Sequence, residues 1–144
     1  MTKLDEQLCF EVYKAANQFT KLYAKALQPF QLTYPQYIVL LALYDKDGQT
    51  TAALGDTLDL GIGTLNPIVN KLIAKNYVNK TPSLADRRAS LLTLTPFAMQ
   101  QKQAIEQAVI ETMFCQDYLV KSGPALKQQL HALNTFLQQM NKEE

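Results

Sequence analysis

Between residues 51 and 95 the apolar period changes from helical to alternating, and this change limits the folds open to the chain. A short helical stretch over 51–58 is followed by the turn Gly61-Ile62-Gly63-Thr64-Leu65 and a longer helical stretch to about residue 75. Tyr77-Val78-Asn79-Lys80 and Leu91-Leu92-Thr93-Leu94-Thr95 then read as strands, separated by a polar stretch that ends in Ala85-Asp86-Arg87-Arg88. A short helix, a tight turn, a second helix and a hairpin with a basic tip make up a winged helix-turn-helix. The expected fold is mainly α with a small β-hairpin.

Helical spacing governs both flanks. Thr2 is placed as an N-cap three residues before Asp5, and Leu8, Val12, Ala15, Phe19, Leu22 and Ala26 follow at helical steps until Pro29. Pro35 suits the first turn of a second helix, which carries Tyr37, Ile38, Leu41 and Leu43 up to Gly48. After Pro96 the pattern predicts two more helices, divided at Ser122-Gly123-Pro124. The last one places Leu126, Leu130, Leu133, Leu137 and Met140 at alternating steps of four and three, an a/d seam that needs a partner. That partner is either the chain's own core or a second copy; beside two other long amphipathic helices, the narrow seam points to a homodimer. The 144 residues are read as one domain, with DNA-binding elements at 51–95 and a helical dimerisation region at 1–30 and 96–144.

Composition narrows the function by exclusion. No signal-peptide pattern and no apolar run near the roughly 18 residues of a membrane span occur, so a soluble cytoplasmic protein without membrane contact is expected. Cys9 and Cys115, the only cysteines, lie far apart and form neither a disulfide framework nor a zinc pattern. His131 is the single histidine, there is no Ser/His/Asp set, and Gly61-Ile62-Gly63 lacks the strand and spacing of a dinucleotide loop. No enzyme, metal or cofactor is therefore predicted. Between residues 65 and 90 five cations, Lys71, Lys75, Lys80, Arg87 and Arg88, face one acid, Asp86. Arg87 and Arg88 are the only arginines in the chain, and Arg forks suit phosphates and narrow minor grooves. On charge alone this is either a DNA-facing tip or a solvated hairpin end.

Leu8-Cys9-Phe10, Leu32-Thr33-Tyr34-Pro35-Gln36-Tyr37, Gly63-Thr64-Leu65 with Pro67, and Asp86-Arg87-Arg88 ahead of Leu94-Thr95 occur in that order. Together they resemble the multiple-antibiotic-resistance regulator (MarR) family, and within it the organic hydroperoxide resistance branch, over nearly the whole chain. The resemblance implies a dimeric repressor on a pseudo-palindromic double-stranded operator, with organic hydroperoxides as the oxidant. It assigns Cys9 as the redox-sensing thiol, Tyr23 and Tyr34 as its hydrogen-bonding phenols, and Tyr13 as a further tyrosine of the site. Cys115 matches a possible resolving cysteine on the fifth helix, which in two-Cys members condenses with the oxidised thiol of the other subunit. The stretch 63–75 resembles the recognition helix, with Thr64 and Asn66 at its reading end and, further towards its C-terminus, Lys71 and Lys75 as either phosphate contacts or solvated cations. Arg88 matches the minor-groove arginine, with Asp86 holding its guanidinium and Arg87 on the backbone.

Fourteen residues separate Cys9 from Tyr23 on one predicted helix, a rise of about 21 Å. A thiol–phenol contact must then cross a dimer of antiparallel first helices. Phenol donors stabilise a thiolate, the form that attacks peroxide. The chain departs from the branch at Gly61-Ile62, where Asp-Ser is usual, and at Asn70-Lys71, where Lys-Arg is usual. Two alternatives stand beside this reading. One is release by a small aromatic or lipophilic ligand in a cleft lined by Phe10, Phe19, Tyr23, Tyr34 and Tyr37; the other is a thiol peroxidase.

Overall fold

The computed structural model describes residues 3–4 and 7–142; Thr2 and Asp5, expected at the first helix start, lie outside them. Helix α1 (Leu8–Leu27) runs into a 3-10 turn (Gln28–Phe30) that contains Pro29, and α2 (Tyr34–Asp45) follows. Next come β1 (Gln49–Thr50), α3 (Thr51–Leu58), α4 (Ile62–Ala74), β2 (Val78–Pro82) and β3 (Ser90–Leu94). Two helices close the chain, α5 (Pro96–Met113) and α6 (Asp117–Lys142).

Threonine caps begin three of these helices. Thr33 and Gln36 form a reciprocal capping box on α2, while Thr50 and Thr95 accept the backbone N–H groups of Ala53 and Ala98. Pro35 and Pro96 occupy first turns, where no intrahelical N–H bond is lost.

The sheet has three antiparallel strands in the order β1-β3-β2, one more than the expected hairpin. Leu92 of β3 pairs with Gln49 on one side and Lys80 on the other. The extra strand is held by side chains: Gln49 donates to the carbonyls of Ala42 and Lys46, and the Asp47 carboxylate accepts the Leu94 N–H at 2.9 Å. A strand of two residues is too short to show alternation in a sequence.

The core lies where the long helices meet the reading head. Leu27, Leu40, Leu43, Leu54, Leu65, Leu72, Tyr77 and Leu92 are buried together, with Ile105, Val109 and Met113 of α5 joining from the other side. Helix α1 packs along α5, whereas no residue of α6 is buried.

The expected break at Ser122-Gly123-Pro124 is not a break. Helix α6 runs through Pro124, and the chain turns instead at residues 114–116. A proline inside a helix leaves the carbonyl four residues earlier without its donor; here that residue is Val120, which is exposed, so water can satisfy the group. As a result Cys115 sits just past the end of α5 rather than on it.

The helix-turn-helix itself depends on one close approach. Asp59, in the left-handed region at φ 54°, ends α3, and the Leu60 N–H returns to the Gly55 carbonyl at 2.9 Å. A Cβ on Gly55 would stand 2.8 Å from the Leu60 carbonyl oxygen, and that oxygen is backbone and cannot swing away. Gly55→Ala should therefore cost about 1–3 kcal/mol of stability, as overpacking does. Urea unfolding checks this, and an unchanged midpoint would contradict the turn geometry.

Candidate functional site

Two sets of residues stand out, one around α4 and the wing and one along α1. On α4, Leu65, Val69 and Leu72 face the core, and this leaves Thr64, Asn70 and Lys71 exposed with Asn66 half-buried at the reading end. The helix starts at Gly61, which makes no side-chain cap, so the first N–H groups of α4 are open to an outside acceptor.

The wing tip is shaped by its own backbone. Ser83 N–H donates to the Ala89 carbonyl and Ala89 N–H to the Asp86 carbonyl, which closes the hairpin. The Asp86 carboxylate accepts the backbone N–H of Arg88 at 3.0 Å. This corrects the expectation that Asp86 holds the Arg88 guanidinium: an Asp two residues ahead reaches the backbone donor of its own turn more readily than a long side chain. Arg87 and Arg88 are both exposed.

A cleft of about 330 Å³ separates α4 from the wing. Asn66, Asp86 and Arg88 line it, together with Lys80, Thr50 and Thr51. Lys80 of β2 also lines this cleft; the sequence counts it among the cations of the basic segment but gives it no site role, although its place on an outward strand position was available as a signal. The Thr51 hydroxyl is buried without a hydrogen-bond partner among the described residues. Thr64, Lys71 and Arg87 do not line the cleft, and Lys75 lies in a different one beside Phe30, Tyr77 and Phe97. There the Lys75 ammonium donates to the Gln31 carbonyl and to Gln36 Oε1, so it is engaged within its own subunit rather than held out for a phosphate.

On α1, Cys9 is the second residue of the helix and is exposed, as is Tyr13 one turn later. Burial of Cys9 as a small core hydrophobe is thereby excluded within the subunit. Tyr23 stacks on Tyr34 with ring centroids 4.6 Å apart and lies 5.6 Å from Tyr37, with Phe19 beside it at 6.1 Å. Burial pushes the Tyr23 hydroxyl above its ordinary pKa, and the neighbouring Tyr34 adds to the effect; burial alone raises Tyr34. Both phenols therefore remain protonated donors at neutral pH. Among the described residues neither hydroxyl donates to an acceptor of its own subunit. Because α1 is one continuous helix, Cys9 stands about 21 Å along it from Tyr23, and the structure does not bring the two together within a subunit. Cys115 is exposed, and its Sγ donates weakly to the Thr112 carbonyl at 3.6 Å. Among the described residues no group of metal-ligating side chains occurs, and no helix is long and apolar enough to cross a membrane.

A helix pair with an open-ended second helix and a basic wing sharing one cleft defines a winged helix-turn-helix DNA-binding regulator. The family model for the transcriptional regulators SarA and Rot matches residues 21–109, and the chain belongs to this SarA/Rot group of MarR-family transcriptional regulators. The organic hydroperoxide resistance transcriptional regulator of Bacillus subtilis is 33% identical over 141 residues, covering 98% of this chain and 94% of its own length. The HTH-type transcriptional regulator TtmR of Methylorubrum extorquens is 41% identical over 92 residues, but the match spans 64% of this chain and only 47% of TtmR. Among solved structures, reduced AbfR bound to DNA superposes with a TM-score of 0.78 at 31% identity over 93% of this chain and 96% of AbfR. AbfR, a Staphylococcus epidermidis protein, has also been solved overoxidised on DNA (TM-score 0.74) and in a disulfide form (TM-score 0.68).

Arg88→Ala is expected to weaken DNA binding by about 1–3 kcal/mol with little loss of stability, because Arg88 is exposed beside the cleft between α4 and the wing and takes no part in the core. A gel-shift titration at fixed salt together with a melting curve checks this. Unchanged affinity would take the wing out of the interface.

Proposed function

We propose that the protein is a homodimeric repressor that binds a pseudo-palindromic operator and leaves it when an organic hydroperoxide oxidises Cys9. The observation that carries this reading is the split site along α1: an exposed thiol at its start and, about 21 Å on, Tyr23 stacked on Tyr34 of α2, neither hydroxyl having an acceptor among the described residues. Two antiparallel α1 helices would set each thiol against the partner's phenols. Exposed apolar side chains mark the surface needed for such pairing, with Leu8 and Val12 on α1 and Leu126, Leu130, Leu137 and Met140 on α6.

The chemistry is stoichiometric. The Cys9 thiolate attacks one peroxide oxygen, an S–O bond forms as the O–O bond breaks, and the departing alkoxide takes a proton to become the alcohol. Cys9 is left as a sulfenic acid. The Cys115 thiol of the other subunit then displaces hydroxide from that sulfur, which forms a disulfide and releases water. Both thiols are exposed at helix ends, as such a reaction requires.

AbfR is found on DNA both reduced and overoxidised, and its disulfide form has been solved separately. For this chain that pattern supports release by the disulfide rather than by oxygen added to Cys9 alone. A crosslink between subunits would fix a spacing of the two recognition helices that no longer matches one DNA turn. Release by a small aromatic ligand held against the Phe19, Tyr23, Tyr34 and Tyr37 cluster is the second reading, since Phe19, Tyr23 and Tyr34 are only partly buried over the buried Tyr37.

The cysteine variants separate these readings. Wild type treated with an organic hydroperoxide should lose operator affinity by more than a hundredfold and run as a disulfide-linked dimer. Cys9→Ser should bind DNA normally and ignore the peroxide, while Cys115→Ser should accumulate overoxidised Cys9 and stay on DNA. Gel shifts, non-reducing electrophoresis and mass measurement read all three. Full release of Cys9→Ser by peroxide would contradict the sensor assignment.

A further inference from the structure

The joint between the long helices and the reading head passes through Lys75, and we propose that Lys75 is a positioning residue that carries a change at Tyr34 to the recognition helix α4. The proposal rests on the peroxide-sensing reading above.

Lys75 closes α4. Its N–H bonds the Lys71 carbonyl at 3.0 Å, and the next residue, Asn76, turns left-handed at φ 65° and ends the helix. The side chain reaches across to the segment that joins α1 to α2, where its ammonium donates to the Gln31 carbonyl and, at 2.9 Å, to Gln36 Oε1. Both acceptors are neutral, and among the described residues no carboxylate pairs with this lysine.

Gln36 ties that contact to the tyrosines. Its side chain is 3% exposed, and the same Oε1 accepts the Thr33 N–H at 3.2 Å, while the Gln36 N–H donates to Thr33 Oγ1. Tyr34 and Pro35 are the two residues enclosed by this capping box. With Tyr34 stacked on Tyr23, a displacement of its ring must move the first turn of α2, and Gln36 moves with it. Lys75 then transmits the movement to the end of α4.

A second bond supplies the pivot. Two residues beyond Lys75, the Tyr77 hydroxyl donates to the Phe30 carbonyl at 2.9 Å, and Tyr77 is buried in the core. Thr64 lies eleven residues back along α4, about 16 Å away, so a small rotation at this joint is enlarged at the end that meets DNA.

Lys75→Met keeps the length and apolar stem of the side chain but removes its donors; Lys75→Arg keeps donors. In reduced form Lys75→Met should bind operator within about threefold of wild type with the same salt slope. Peroxide should oxidise its Cys9 at the wild-type rate, by mass measurement. Its loss of affinity on oxidation should nevertheless be at least tenfold smaller than that of wild type, and Lys75→Arg should restore it. A melting curve accompanies each variant, with Lys75→Leu, which also lacks donors, replacing Met if Met lowers the transition.

A salt slope shallower by about 0.9 in the reduced variant would show a phosphate contact instead and overturn the proposal. Wild-type release from oxidised Lys75→Met would overturn it too. If wild type itself is not released by peroxide, the sensing reading fails and the coupling falls with it, an outcome visible in the wild-type titration alone.

Discussion

The continuity of α1 is the constraint on which this molecule turns. A helix unbroken from Leu8 to Leu27 fixes the rise between Cys9 and Tyr23 at about 21 Å, and no side-chain rotation closes a gap of that size. The thiol is left in solvent at one end, and at the other neither the Tyr23 nor the Tyr34 hydroxyl has an acceptor among the described residues. Each half is unremarkable chemistry alone. In the proposed dimer a second α1 running the other way would complete two such sites at once, so that dimerisation and sensing would share one set of side chains.

The reading head is attached to this rod by few but specific bonds. Tyr77 to the Phe30 carbonyl and Lys75 to Gln31 and Gln36 connect the end of α4 and the start of β2 to the segment where α1 gives way to α2, and Tyr44 at the far end of α2 bonds the Ala98 carbonyl of α5 at 2.5 Å. Thr95 completes the joint by bonding the Asn76 carbonyl at 2.6 Å while it caps α5. Charged or polar donors on backbone carbonyls fix direction as well as distance. In the proposed coupling these bonds would pass a movement of the rod to the head as rotation.

The helix pair and wing were legible in the sequence because each leaves a periodic mark: buried Leu65, Val69 and Leu72 at helical steps, and strands on either side of a polar turn. The family was legible because its motifs are spread over the whole chain in order. Three features were not. The break before α6 carries no glycine or proline, while Ser122-Gly123-Pro124, which does, lies inside an exposed helix where water repairs the lost bond. Asp86 and Arg88 are close in sequence, but proximity does not say whether a carboxylate takes a guanidinium or a backbone N–H. Lys75 reads as one more cation in a basic segment, and only the fold shows that its acceptors, Gln31 and Gln36, lie more than thirty residues away.

The cross-subunit site is tested most directly by mixed dimers. Cys9→Ser subunits, which keep both phenols, are combined with Tyr23→Phe/Tyr34→Phe subunits, which keep the thiol, and the rate of Cys9 oxidation by an organic hydroperoxide is followed by mass measurement. A site shared between subunits predicts wild-type oxidation of the one remaining Cys9 in the mixed dimer and slow Cys9 oxidation in the doubly substituted homodimer. Equal, slow oxidation in both would contradict it.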